Sequence, residues 1–160
     1  MRHRLPLLLF IFFTHAFVSL SVHATTLWPK QTQAQRIVSL APNITETLFA
    51  LGAGEQLIAV TDYCDYPLAA LALPKIGRGL SPSLESILAL KPDLVILSAS
   101  QQKLIQQLEQ LHISTQAVKS RTLQDIRQTI ITIGQASGRQ QESVALLTQF
   151  DSDIRMVQQK

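Results

Sequence analysis

From Arg36 onward, short β-branched apolar runs alternate with stretches whose apolar residues recur every three or four positions. Arg36-Ile37-Val38-Ser39-Leu40 reads as a buried strand. Ala41-Pro42 then turns the chain. Asn43 offers an N-cap with Glu46 three residues on, the spacing of a capping box. Ile44, Leu48, Phe49 and Leu51 give that helix its apolar side, and Gly52 stops it. Residues 57–61 form a second strand, 62–67 a loop with two tyrosines, and 68–73 one helical turn. Lys75-Ile76-Gly77-Arg78-Gly79 reads as a mobile glycine-rich stretch. Ser81 caps the next helix with Pro82 in its first turn. Leu84, Ile87, Leu88 and Leu90 line one side of it, and Lys91-Pro92 ends it. Asp93-Leu94-Val95-Ile96-Leu97 is the clearest strand in the chain. A helix over 101–111, a weaker strand over 113–118 and a helix opened by Thr122 and Asp125 complete the alternation. That last helix turns Leu123, Ile126, Ile130 and Ile133 inward and ends near Gly138.

Strand and helix in alternation predict an α/β fold: a single Rossmann-like lobe, a parallel sheet with helices on both faces. Ligands of such folds sit beyond the carboxyl ends of the strands. Here those ends feed loops at 41–43, 62–66, 98–100 and 119–121. The segment from Gln140 differs. Val144, Leu147, Phe150 or Asp151, Ile154 and Val157 keep helical spacing up to Lys160 with no glycine cap or proline. It reads as the start of a longer helix, whose apolar stripe needs a surface to cover it.

The first residues follow a different pattern. Met1-Arg2-His3-Arg4 is basic, residues 5–20 are apolar, and Ser21-Val22-His23-Ala24 ends in a small residue. Basic, apolar, small is the order of a secretory signal, with cleavage near Thr25. The apolar run is shorter than a spanning helix requires and is broken by Thr14 and His15. No cysteine follows it, so the lipoprotein manner of anchoring has no acceptor, and the expected location is the periplasm. Removing residues 1–24 takes Arg2 and Arg4 from a formal charge of +3, leaving +1. No basic block suited to nucleic acid remains. His3, His15 and His23 also leave, so His112 is the one imidazole of residues 25–160. That disfavours a zinc or manganese site and any Ser-His or Cys-His catalytic pair. Cys64 is the only cysteine; without a disulfide partner in an oxidising compartment it is expected to be buried.

Three stretches then carry a family resemblance. They are Arg36-Ile37-Val38-Ser39-Leu40-Ala41-Pro42-Asn43-Ile44-Thr45-Glu46, Thr61-Asp62-Tyr63-Cys64-Asp65-Tyr66-Pro67, and Pro82-Ser83-Leu84-Glu85-Ser86-Ile87 leading into Ala89-Leu90-Lys91-Pro92-Asp93-Leu94-Val95-Ile96. In order and spacing the chain resembles the N-terminal lobe of the periplasmic solute-binding proteins that serve ABC importers for vitamin B12, ferric siderophores and haem. Those proteins have two α/β lobes joined by one long rigid helix. The resemblance implies a signal peptide over 1–24, an exposed lead-in over 25–35, a binding lobe over 36–138 and the start of the long helix over 139–160, with the second lobe absent. It implies no intrinsic cofactor; cobalamin or an iron chelate would be cargo. The partners it implies are the importer's membrane subunits, a small-molecule ligand and a second lobe from another chain.

The Tyr-x-x-Tyr-Pro loop is closest to the B12-binding branch, which implies that Tyr63 packs its flat face on a corrinoid. Tyr66 is a further candidate, more a prop for the loop. Pro42 and Asn43 border the cleft and offer free donors at a helix start. That branch places tryptophans near the positions of Gly79 and Ser98; here both are small, so stacking area is lost. Arg78 would favour an anionic ligand such as a siderophore or a propionate. Glu85 matches an acid that meets arginines of the membrane subunits, and it also suits the first turn of a helix. Two other functions compete. An exported hydrolase would draw on Asp62, Asp65 and Ser39 but has no histidine near them. A non-catalytic interaction module would pair through the helix from Gln140.

Overall fold

The computed structural model describes residues 33–78 and 81–159. The expected signal sequence and most of the lead-in lie outside the described residues. The elements run β1 (Ile37–Ser39), α1 (Pro42–Ala50), β2 (Leu57–Val60), β3 (Gly77–Arg78), β4 (Ser81–Pro82), α2 (Leu84–Ala89), β5 (Leu94–Ser98), α3 (Gln102–Gln110), β6 (Thr115–Val118), α4 (Leu123–Ser137) and α5 (Gln140–Gln158). Short 3-10 turns occupy Gly54–Gln56 and Leu68–Ala72.

Four strands form one parallel sheet in the order β2-β1-β5-β6. Successive side chains of a strand face opposite sides, and both sides here are covered. Ile37 and Ile96 pack on one side with Ile44 and Leu48 of α1 and Ile133 of α4. Val38, Leu40, Val95 and Leu97 pack on the other with Ile87 of α2 and Ile105 and Leu108 of α3. Burial on two sides is why these strands read as unbroken apolar runs. From β1 the chain crosses to β2 on one flank, then returns past β1 to β5 on the other. The order therefore reverses between β1 and β5, and the cleft of such a sheet opens at that switch.

Two helix starts differ from expectation. The N-cap of α1 is Ala41, with Pro42 as the first helical residue and no side-chain cap bond. Asn43 is thus inside the helix and exposed, not a cap. Proline suits the first position because its missing N–H is one the helix could not use. Likewise Ser81 and Pro82 form β4, and Ser83 caps α2 by accepting from the Ser86 amide at 3.1 Å. The stretch at 75–79, expected to be mobile, is hydrogen-bonded over its described part. Val60 N donates to Pro74 O at 3.0 Å and Ile76 N to Val60 O at 3.1 Å, so residues 74–76 extend the sheet beyond β2. Gly77 and Arg78 then pair antiparallel with β4.

α4 opens as expected, with a capping box between Thr122 and Asp125, and ends at Gly138, whose φ of +73° suits glycine. α5 packs along α4. Gly134 makes the approach possible: a Cβ there would stand 2.6 Å from Ser143 Cβ. Arg127 Nε lies 2.7 Å from Asp151 Oδ1, and its guanidinium sits 5.6 Å above the Phe150 ring. Val144, Met156 and Val157 on α5 are exposed.

Candidate ligand-binding site

The loop after β2 is held from beneath and bare on top. Thr61 and Cys64 are both fully buried and share a hydrogen bond, Oγ1 to Sγ, at 3.2 Å. Burial of the thiol matches the expectation for a cysteine without a disulfide partner. The Lys75 ammonium donates to Cys64 O at 2.7 Å and to Ala70 O at 3.0 Å. The Asp62 amide donates to Gly77 O at 3.0 Å. One lysine thus ties both ends of the 64–70 segment. Tyr63 and Tyr66 are 57% and 67% exposed. Tyr66 thus turns most of its ring outward, and Lys75 and the Thr61–Cys64 pair supply the hydrogen bonds that brace the loop. Arg78 is exposed beside this loop, one residue after Gly77, with no ion pair among the described residues.

At the end of β1 the supply of free amides is smaller than expected. Pro42 has no N–H, and the Ile44 and Thr45 amides donate to Ala41 O at 3.2 and 3.1 Å. The Asn43 amide is the donor left open. Ser39 is fully buried and hydrogen-bonded to Thr45 Oγ1 at 2.7 Å, which removes it as a nucleophile. Pro42 and Asn43 border a groove of about 690 Å3 between α1, α4 and α5, with Ile126, Ile130, Leu146 and Phe150 on its far wall.

Ser98 lies elsewhere, in a cavity of about 760 Å3 beyond the ends of β5 and β6. Its walls include Ser100, Lys119, Ser120, Arg121 and Asp125. Ser98 and Ser100 share a hydroxyl hydrogen bond at 2.8 Å. Ser120 also borders the first groove, so the two hollows adjoin. The sequence-derived residues thus fall into three neighbourhoods along the carboxyl edge of the sheet: Tyr63, Tyr66 and Arg78 at β2; Pro42 and Asn43 at β1; Ser98 at β5. Lys119 and Arg121 were visible only as part of a strand-end loop. Lys75 left no signal, since its partners are backbone carbonyls. Glu85 is exposed in the first turn of α2. Among the described residues no group of three or more His, Cys, Asp and Glu could hold a metal ion.

A family model described as "Periplasmic binding protein" matches residues 37–160. The chain belongs to the periplasmic binding protein family. It is 36% identical over 122 residues to the vitamin B12-binding protein of Pectobacterium carotovorum, an alignment covering 75% of this chain and 44% of that one. Among solved structures it is similar to the periplasmic vitamin B12 binding protein BtuF of Vibrio cholerae, with a TM-score of 0.70 and 32% identity over 76% of this chain and 49% of that chain. It is similar also to the periplasmic heme binding protein HutB of Vibrio cholerae, with a TM-score of 0.72 and 31% identity over 79% of this chain and 50% of that chain. The chain spans about half the length of the relatives it matches. The expected α/β lobe and the family resemblance both stand on these findings.

Proposed function

We propose that this chain is a non-catalytic binding lobe that works in the periplasm and receives a corrinoid, cobalamin first, for an ABC importer. The observation that carries the reading is the Tyr63 loop. It presents an aromatic face at the carboxyl edge of a parallel sheet, where ligands of such folds bind, on a lobe whose relatives include vitamin B12-binding proteins. A flat ring packs on a large rigid macrocycle at small entropic cost, because few torsions are frozen. Pro42, Asn43 and Ser98 stand at the neighbouring strand ends and complete one wall. Haem or a ferric siderophore is the alternative cargo; the similarity to a heme binding protein and the exposed Arg78 favour it. Glu85 is free to meet cations of the membrane subunits, since its exposure costs nothing before docking.

Calorimetric titration with cyanocobalamin, hemin and a ferric siderophore tests the reading. The expected result is saturable binding, tightest for cyanocobalamin. Tyr63→Ala weakens it about ten-fold, the worth of roughly 1.4 kcal/mol of stacking, with an unchanged melting temperature. Glu85→Gln leaves that affinity alone and lowers uptake by cells that depend on the protein. Protein recovered from the periplasm begins at Thr25. An intact fold that takes up none of the three ligands would overturn the proposal.

A further inference from the structure

The strand-end edge of the sheet is unevenly charged. The β2 and β6 ends are three inter-strand spacings apart, about 14 Å. At the β2 end stand the two tyrosines, with Asp62 and Asp65 balanced by Lys75 and Arg78; at the β6 end stand Lys119 and Arg121. The one carboxylate in the β5–β6 cavity is Asp125, and its charge is already engaged. Its Oδ2 accepts from the Arg121 amide at 3.2 Å and the Thr122 amide at 3.1 Å as part of the capping box. The Lys119 ammonium and Arg121 guanidinium have no ion-pair partner among the described residues. Ser98, Ser100 and Ser120 line the same cavity of about 760 Å3. Two cations, and the two hydroxyl protons left over by the Ser98–Ser100 bond, make a donor-rich lining around an open hollow. Such a lining suits an oxyanion, since a carboxylate or phosphate only accepts, and guanidinium binds it in a fixed fork.

We infer that the cavity between the ends of β5 and β6 receives an anionic group of the cargo, a carboxylate or a phosphodiester, through Lys119 and Arg121. This rests on the proposed role as a ligand-binding lobe and adds a direction to it. The flat body of the ligand lies toward Tyr63, and its acidic substituent reaches toward β6.

Matched ligand pairs test this on the whole chain. Hemin and hemin dimethyl ester differ in their free carboxylates. Cyanocobalamin and dicyanocobinamide differ in the phosphodiester arm. Affinities are measured for wild type, Lys119→Gln/Arg121→Gln and, as a control of like charge change, Lys91→Gln/Lys103→Gln. The expected result is that wild type prefers the anionic member of one pair by about ten-fold, the sum of two exposed charge contacts. That preference collapses in the first double variant and survives in the control, and it shrinks between 50 and 300 mM salt, on the order expected for screened charges. Which pair responds tells carboxylate from phosphodiester. Equal affinity for both members of each pair, or a preference that the first variant keeps, overturns the inference while tetrapyrrole binding itself leaves the proposed function standing. Failure of every tetrapyrrole to bind overturns the inference, and failure of the ferric siderophore as well overturns the proposed function too.

Discussion

Lys75 makes the clearest single-residue argument. Its ammonium bridges Cys64 O and Ala70 O, the two ends of the segment that displays Tyr66 and follows Tyr63. A backbone carbonyl so engaged needs no water, and losing the donor leaves two acceptors in want of one. Lys75 is exposed, so its net worth is modest, about 1 kcal/mol. Lys75→Met keeps the stem and removes the charge. We expect a melting temperature a few degrees lower, on the order of 3–5 °C per kcal/mol for a domain of this size. Amide exchange should quicken at Asp62, Tyr63 and Cys64 while Leu48 and Ile96 keep their protection. Unchanged exchange in the loop would show that the Thr61–Cys64 pair holds it alone. The sequence could point to the tyrosines, because aromatic residues beside a proline at a strand end are conspicuous. It could not point to Lys75, because a lysine that serves carbonyls looks like any solvated lysine.

At the scale of elements, the sheet was readable and the helix starts were not. Ile37, Val38, Leu94, Val95, Ile96 and Leu97 are apolar on both sides of their strands, and only a sheet buried on both faces explains that. Pro42-Asn43 and Ser81-Pro82-Ser83 each offer two plausible starts, and local chemistry does not choose between them. The pairing of residues 74–76 with β2 chose the second, since it draws Ser81 and Pro82 into a strand and moves the cap to Ser83. Strands of two residues leave no periodicity to read. The caps make a quantitative test. Thr122→Ala and Ser83→Ala each remove an acceptor from a helix start and should cost about 1 kcal/mol in urea unfolding. Asn43→Ala should stay within about 0.5 kcal/mol, because Asn43 caps nothing. A cost at Asn43 equal to that at Thr122 would contradict the start of α1 at Pro42. Gly134→Ala belongs to the same scale. The added methyl meets Ser143 and the Arg139 carbonyl, so α5 must shift off α4, a cost of about 1–3 kcal/mol.

For the molecule as a whole, affinity follows from the number of walls. The described lobe presents one: the strand-end loops of β2, β1, β5 and β6. Small-molecule sites ordinarily bury about 70–90% of the ligand surface. A flat macrocycle laid on a single wall hides one face and leaves the other to water, roughly half of its surface. The apolar gain is reduced in proportion, whereas the loss of translational and rotational freedom is paid in full. Binding of cyanocobalamin or hemin by this lobe alone should therefore be micromolar or weaker, about 1–100 µM. It should also be sensitive to salt, because Lys119 and Arg121 act across open solvent and the screening length is about 8 Å at 0.15 M. Calorimetry of the chain at two ionic strengths reads both quantities. Nanomolar binding that ignores salt would mean that the ligand is enclosed, and the groove of α1, α4 and α5 beside Ser120 would then be the place to look for it.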